Sequence, residues 1–144
     1  LAAVLGMFIG IEREHRRRPA GLRTHMLIAV GSALFTILSV EGFSYFMGSS
    51  ASYDPSRIAS QIVVGVGFIG AGLIFFRGDK LQGLTTAAGI WITAAIGMAI
   101  GLQFYALAIF TALLALIILW CLRFLETKIP KVSDSDQDIN SDNA

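Results

Sequence analysis

Two long apolar segments separated by a short polar turn constrain this chain more than any other feature. They run from Ile58 to Phe76 and from Leu84 to Leu102, and the second contains no charged residue. As α-helices, each would be about 28 Å long, close to the hydrocarbon thickness of a bilayer. The composition agrees, because 55% hydrophobic residues and a mean hydropathy of +0.70 exceed the values typical of soluble domains. The sequence therefore predicts an all-α integral membrane protein.

Three further apolar segments complete a predicted bundle of five transmembrane helices. A second helix is expected from about His25 to Phe46 and a fifth from Phe104 to Leu122. Leu1 to Ile11 would cross only about half of a bilayer, so we expect the first helix to be truncated at its N-terminus. Asp54 followed by Pro55 is typical of an N-cap and a first helical residue, which predicts the start of the third helix.

The domain organisation follows from the same pattern. Residues 1–129 are predicted to form one transmembrane domain, and the acidic tail 130–144 is expected to be disordered because it has little to bury. Cys121 is the single cysteine, which excludes an internal disulfide.

The basic residues predict the orientation of the helices. Ten of the 11 Lys and Arg residues lie in the loop after the first helix, in the turn Arg77–Lys80 and at the C-terminal end, and only Arg57 lies on the other side. Cytoplasmic loops carry the excess of Lys and Arg. We therefore expect a cytoplasmic C-terminus and an external N-terminus.

Small residues are expected to let the helices approach closely. The predicted helix-packing glycines are Gly65, Gly67, Gly70, Gly72, Gly89 and Gly97. The spacing of the first three matches a dinucleotide-binding fingerprint, but that fingerprint follows a strand and opens a helix, whereas these glycines lie within a helix. Helix packing is therefore favoured. We further expect a homodimer in which a Gly65/Gly72 or an Ala88/Ala95 face meets its symmetry mate.

Several polar or aromatic residues have both a structural and a functional interpretation. The candidates are Glu12, Arg13, Arg23, Thr24, His25, Asp54, Arg57, Gln61, Thr85, Thr86 and Trp91. Arg57 and Gln61 share one helical face, and such residues usually face a bundle interior or a water-filled cavity. Asp54 is predicted to be a cap, and Thr85 and Thr86 either cap the fourth helix or have a function. Trp91 either packs against neighbouring residues in the ordinary way or has a function.

The charges beside the first helix also allow two interpretations. Glu12 and Glu14 either pair with Arg13 and Arg23 or face a hydrated cation, and ion pairing is favoured. The arginine run 16–18 is a topology signal and a contact for anionic lipid headgroups.

Catalytic chemistry is hard to find in the sequence. Neither histidine lies at a spacing from a nucleophile, or from other His or Cys residues, that would indicate a catalytic or zinc site. We therefore expect no enzyme activity, no resident metal or other cofactor, and no nucleic-acid partner, with Mg²⁺ kept as an alternative ligand.

Four motifs resemble the membrane domain of the MgtC/SapB family. They are GIERE at 10–14, AGLRTH at 20–25, DPSRIASQIVVGVGFIGAG at 54–72 and GLTTAAGIWITAAIGMAIG at 83–101. The resemblance implies five transmembrane helices in a bacterial inner membrane and a link to Mg²⁺ homeostasis, stress adaptation and virulence. It also implies a membrane-protein partner such as the F-type ATP synthase. A position that is Asn in MgtC is Thr85 here, which points toward the SapB/YhiD-like branch.

The resemblance leaves two mechanisms open. Mg²⁺ is usually held by carboxylates and retained waters, and no acidic residue lies in the middle of the second to fifth predicted helices. A non-transporting regulator of a membrane partner is therefore the favoured prediction. A Mg²⁺ transporter or channel is the alternative.

Overall fold

The computed structural model describes residues 1–42, 54 and 56–126, with side chains up to Cys121. Within these ranges the chain forms five α-helices and one short β-hairpin. The elements are α1 (Ala2–His15), α2 (Leu22–Ile37) with a π-helical continuation (Leu38–Gly42), α3 (Ser56–Ala71), β1 (Phe75–Arg77), β2 (Lys80–Gln82), α4 (Leu84–Gly101) and α5 (Tyr105–Glu126). The predicted tail 130–144, Pro55 and the end of the predicted second helix lie outside the described residues.

α1 and α4 both end in a turn that contains a left-handed residue other than glycine. These residues are Arg17, with φ 52°, and Gln103, with φ 63°. After α1, the N–H of Arg18 donates to the carbonyl of Arg13 over 3.1 Å, and the equivalent bond follows α4. This is the Schellman arrangement, which satisfies carbonyls at the end of a helix. It turns the chain sharply enough for α1 and α2 to become neighbours.

The hairpin corrects the prediction that the third helix continues to Phe76. α3 ends at Ala71, and Phe75–Arg77 pairs antiparallel with Lys80–Gln82. The two-residue connection begins at Gly78, whose φ of 61° belongs to the left-handed region that tight hairpins require. The fold is therefore mostly helical, as predicted, but it is not purely α.

α2 lies against both α1 and α4, and glycines make both contacts close. A Cβ added at Gly6 would lie 2.7 Å from the carbonyl oxygen of His25, and one at Gly10 would lie 2.6 Å from the Cα of Leu22. On the other side, a Cβ at Gly97 would collide with the carbonyl oxygen of Ala29. Helices that approach this closely gain dispersion contacts along their backbones.

The remaining helices cover the outside of this central packing. Ile62 and Val66 of α3 lie against Ile90 and Ala94 of α4. On the other side, α5 joins α1 and α4 in a second apolar cluster, which consists of Leu5, Ile9, Ile96, Ala108, Ala112 and Ala115. α4 is therefore in contact with elements on several sides.

Two helical segments are long and apolar enough to cross a membrane, namely Leu22–Gly42 and Leu84–Gly101. Ser56–Ala71 and Tyr105–Cys121 are apolar but shorter. The predicted number of helices thus agrees with the described structure, and the number that span a bilayer remains a prediction. Large apolar side chains point outward, with Phe68 82% and Trp120 72% exposed.

Candidate functional site

Charged side chains gather where α1 ends and α2 begins. We call this group the polar corner, and it consists of Glu12, Arg13, Glu14, Arg16 and His25. Arg13 follows Gly10 by three positions, so both lie on the helical face that meets α2. As a result, Arg13 is 2% exposed although it lies near the end of its helix.

One carboxylate in the polar corner holds two guanidinium groups. Nε of Arg13 donates to Oε2 of Glu12, and Nε of Arg16 donates to Oε1 of the same side chain. The ion pair expected between Glu12 and Arg13 is therefore present. The sequence did not predict the second ion pair, between Glu12 and Arg16. Nη1 of Arg13 and Nη1 of Arg16 are both buried and have no acceptor among the described residues. The pair of arginines thus keeps a net positive charge and unmet donors.

Glu14 has a different role from the predicted ion pair. Its Oε2 accepts the backbone N–H of Leu22 over 2.8 Å and so caps the start of α2. A Cβ on Gly21 would lie 2.6 Å from this oxygen, so a glycine leaves room for the cap. Arg23, its expected partner, is exposed, and Thr24 is half-buried.

His25 is completely buried between α2 and α4. Its Nδ1 lies 2.9 Å from the carbonyl oxygen of Gly21. Because a carbonyl only accepts, we assign the proton to Nδ1. Nε2 has no partner among the described residues and lies 3.5 Å from the place where a Cβ on Gly89 would be. The glycine thus gives the imidazole its space.

A line of buried polar residues continues from His25 along the α2–α4 contact. We call it the polar line, and it consists of His25, Ser32 and Thr36 on α2 and Thr86 and Thr93 on α4, all buried. Spacings of four and seven positions keep such residues on one helical face. Thr36 donates to the carbonyl of Ser32 over 2.8 Å and Thr93 to that of Gly89 over 2.7 Å. These two hydroxyls are therefore satisfied within their own helices.

Thr85 and Thr86 line a cavity of about 370 Å³ beside the polar corner. We call it the loop cavity, and its walls are Arg18, Pro19, Phe75, Leu81, Gln82, Gly83, Leu84, Thr85 and Thr86. The two threonines do not cap α4, because the N-cap is Gly83, with φ 93° and no side-chain hydrogen bond. Thr85 is exposed and Thr86 is buried.

Asp54, Arg57 and Gln61 lie at the start of α3, away from the polar corner. Oδ1 of Asp54 accepts the N–H and the hydroxyl of Ser56 over 2.9 and 2.7 Å, which makes it the predicted cap. These hydrogen bonds hold the pKa of Asp54 below its ordinary value. Arg57 and Gln61 are exposed, and Gln61 borders an apolar groove of about 500 Å³ between α2 and α3.

Trp91 lies on another surface, since it is 53% exposed and borders an apolar cavity near α3 and the start of α5. The structure therefore places the candidates in separate regions: the polar corner with its polar line, the loop cavity, the start of α3, and the surface around Trp91.

The predicted packing glycines differ in their surroundings. Gly97 is in close backbone contact, whereas a Cβ at Gly70 would make an ordinary contact of 3.5 Å with Ala87. A Cβ at Gly72, just after α3, would lie 3.4 Å from the carbonyl oxygen of Ile69, and one at Gly65 or Gly67 would meet nothing within 4 Å. Sequence reasoning missed three further glycines that lie in tight contacts between helices, Gly6, Gly10 and Gly101. The signal was present, because GMFIG at 6–10 and GMAIG at 97–101 both have the small-xxx-small spacing of close helix pairs.

Comparisons with known proteins agree on one family. The MgtC family profile matches residues 1–128. The chain is 53% identical over 120 residues to "Putative magnesium transporter YhiD" of Escherichia coli K12, covering 83% of this chain and 56% of that protein. It is 40% identical over 141 residues to "Protein SapB" of Bacillus subtilis, covering 96% and 61%. It is 49% identical over 100 residues to "Protein MgtC" of Brucella abortus, covering 69% and 39%.

The chain thus spans about half the length of the curated relatives it matches, from 39% to 61% for these three. No solved structure matches it. The match to the family profile extends over α1 to α5 and includes the polar corner, the polar line and the loop cavity. The chain belongs to the MgtC family.

Proposed function

We propose that this chain is a multi-pass protein of the bacterial inner membrane that serves Mg²⁺ homeostasis by acting on a membrane partner and does not carry the ion itself. The observation that supports this most directly is the close packing along the polar line. Buried polar residues inside a membrane protein commonly mark an ion pathway. Here they lie between helices whose backbones are in contact.

The packing of α2 against α4 leaves little room for Mg²⁺. The ion requires near-octahedral oxygen coordination at about 2.0–2.1 Å and gives up its waters reluctantly. A single Cβ at Gly97 would already collide with Ala29, and one at Gly101 would lie 2.7 Å from the carbonyl oxygen of Ala33. The hydroxyls of Thr36 and Thr93 bond to carbonyls of their own helices, so these groups do not offer a ready coordination shell.

The carboxylates of the polar corner are also engaged by the protein. Glu12 accepts hydrogen bonds from two guanidinium groups, and Glu14 accepts the N–H that starts α2. A cation bound to Glu12 would have to displace arginines from it and would be repelled by them. These contacts favour a structural role for both glutamates.

The orientation belongs to the same proposal. We place all five helices across the membrane, with the polar corner, the hairpin and the C-terminus on the cytoplasmic side. The distribution of Lys and Arg supports this arrangement, as does the loop cavity, which joins the arginine run to the hairpin at one end of the bundle. The proposed role involves no catalysis, and the family resemblance connects it to stress adaptation and virulence.

Thr85 offers a place where a partner could make contact. It is exposed at the start of α4 and borders the loop cavity. The F-type ATP synthase is one partner that the family resemblance brings forward. Because Thr85 replaces the Asn of MgtC, a different membrane protein in the SapB/YhiD-like branch is the favoured partner.

Mg²⁺ transport is the second candidate. The name of the Escherichia coli relative supports it, and so does the polar line, which runs along both segments that are long and apolar enough to span a membrane. In this alternative, α2 and α4 would have to separate during transport.

A flux experiment distinguishes the two candidates. The full chain is reconstituted in liposomes that contain a Mg²⁺-sensitive dye, with protein-free liposomes as the baseline and a Mg²⁺ ionophore as the positive control. We expect the protein to leave the baseline unchanged. Flux that is present in the wild type and is removed by Thr93→Val would establish transport, since this substitution keeps the shape of the side chain and removes its hydroxyl.

A photo-cross-linking experiment tests the partner directly. A photoreactive residue at position 85 is expected to capture a membrane protein in native membranes. The same residue at position 68 is the matched control, because Phe68 is 82% exposed and should face lipid. Equal capture at both positions, or none at position 85, would contradict a partner site at the loop cavity.

A further inference from the structure

Two arginine donors in the polar corner are buried without an acceptor. Nη1 of Arg13 and Nη1 of Arg16 are both shielded from solvent and are unpartnered within the described part of the chain. A buried donor that has lost its water and gained no acceptor is destabilising, and more so when it is charged. An acceptor from outside the chain would relieve this.

The two guanidinium groups are held close together by the carboxylate they share. Glu12 takes the Nε–H of each arginine on a different oxygen, which places both groups beside one side chain. Each guanidinium has five N–H donors, and this ion pair uses one from each. Two positive charges against one negative charge leave the cluster attractive to a further anion. The side chain of Arg13 is 3% exposed, whereas those of Arg16 and Glu12 are 12% and 13% exposed.

The location of the cluster indicates the chemistry of that anion. Arg13 and Arg16 lie where α1 ends and the arginine run begins. In the proposed orientation, on which this step rests, that is the level at which a bilayer presents phosphate groups. Guanidinium groups bind phosphate oxygens in bidentate pairs. We propose that Arg13 and Arg16 form a phosphate-binding site, entered from the exposed edge of Arg16 and Glu12. The phosphate belongs either to a phospholipid headgroup or to a soluble phosphate.

The site is tested by thermal unfolding of the full chain in an uncharged, phosphate-free detergent. Inorganic phosphate and short-chain phosphatidylglycerol are titrated separately, with sodium chloride at matched ionic strength as the reference. A ligand that binds only the folded state raises the unfolding temperature in a saturable way. We expect a saturable rise of a few degrees with at least one of the two ligands.

Two variants locate the effect. Arg16→Gln should weaken binding by about tenfold or more, the loss expected for a charge-assisted hydrogen bond. Arg17→Gln removes the same charge from an exposed neighbour in the run and should keep the affinity within about twofold, since exposed charges contribute little.

The outcomes distinguish the two sources of phosphate from each other and from the absence of a phosphate site. A response to phosphatidylglycerol alone identifies a lipid headgroup, and a comparable response to inorganic phosphate identifies a soluble phosphate. Absence of a saturable response to both, or equal losses in Arg16→Gln and Arg17→Gln, would overturn the site. Neither result depends on whether the protein transports Mg²⁺.

Discussion

Asp54 and Glu14 each accept a hydrogen bond from a backbone N–H at the start of a helix, but the number of residues between acceptor and donor differs. Asp54 bonds to Ser56, two positions away, so its role could be predicted from local sequence. Glu14 bonds to Leu22, eight positions away, across the turn that follows α1. This second cap depends on the left-handed conformation of Arg17 and on the absence of a side chain at Gly21. The cap made by Asp54 can therefore be predicted from the local sequence, whereas the cap made by Glu14 cannot, although both are hydrogen bonds from a backbone N–H to a carboxylate.

The cap at Asp54 gives a pH-dependent prediction. Its pKa is lowered by the hydrogen bonds from Ser56, so the carboxylate stabilises the start of α3 above its ordinary pKa of 3.8. This stabilisation is lost as the pH falls through the lowered pKa of the folded state. In Asp54→Ala, the amide of Ser56 should exchange hydrogen several-fold faster than in the wild type at neutral pH. The difference should shrink in acid.

Hydrogen-exchange mass spectrometry of the first turn of α3 would measure this effect. Peptides from α4 serve as the internal control, since the hydrogen bonds of Asp54 are to Ser56 at the start of α3. Equal exchange rates at neutral pH in both proteins would show that the carboxylate does not stabilise α3.

Glycine spacing determines how the elements pack. Gly6 and Gly10 of α1 allow the start of α2 to approach closely, and Gly97 and Gly101 of α4 allow the middle of α2 to do the same. Each pair is separated by four positions, so its members lie on one face of their helix. α2 can therefore contact both neighbours with its backbone, and the residues of the polar line are buried. Gly65 and Gly67, in contrast, face open space in the single chain.

Two matched alanine substitutions should have opposite effects on stability. Gly97→Ala places a methyl group against the carbonyl of Ala29 and should destabilise the protein by about 3 kcal/mol, the upper range of overpacking. Gly65→Ala meets no atom within 4 Å and should stabilise the helix by up to about 1 kcal/mol, because alanine favours helix more than glycine does. Unfolding of the two variants in detergent would measure the difference. Both variants are measured as detergent-solubilised monomers, so a loss in Gly65→Ala similar to that in Gly97→Ala would contradict the open space around Gly65 in the single chain.

In the whole molecule, the arginine run and the hairpin lie at one end of the helix bundle, and the start of α3 lies at the other end. The arginine run and the hairpin border the same loop cavity, whereas α3 begins at Ser56, a helix length of about 24 Å away from its end near the hairpin. This arrangement is the one that the distribution of basic residues requires for five membrane-crossing helices.

Cysteine labelling tests the orientation. In a Cys121→Ser background, Asp79→Cys in the hairpin should react with a membrane-impermeant maleimide only from the cytoplasmic side, and Arg57→Cys only from the external side. Both positions are exposed in the chain. Labelling of both residues from one side would rule out the five-helix topology.

The open glycine face of α3 also bears on assembly. We predict a homodimer through Gly65, because this glycine borders the apolar groove between α2 and α3 and has no packing partner within 4 Å in the described chain, which suits a symmetric helix contact. Gly65→Leu should then yield folded monomers and should reduce cross-linked dimer in native membranes several-fold. A wild-type protein that is not cross-linked at high protein-to-lipid ratio would remove the dimer.

Local patterns determined most of the elements and little of the site. Apolar runs placed the helices because hydrophobic length is a property of a contiguous segment, and Asp54 was identified as a cap because its acceptor role is local. The hairpin was missed because Phe75 and Phe76 extend the apolar run of α3, and only the turn at Gly78 redirects them. The burial of Arg13, the pairing of Arg16 with Glu12 and the position of His25 beside Gly89 arise from contacts between helices. Only the tertiary structure decides them, because they depend on how closely α1, α2 and α4 approach.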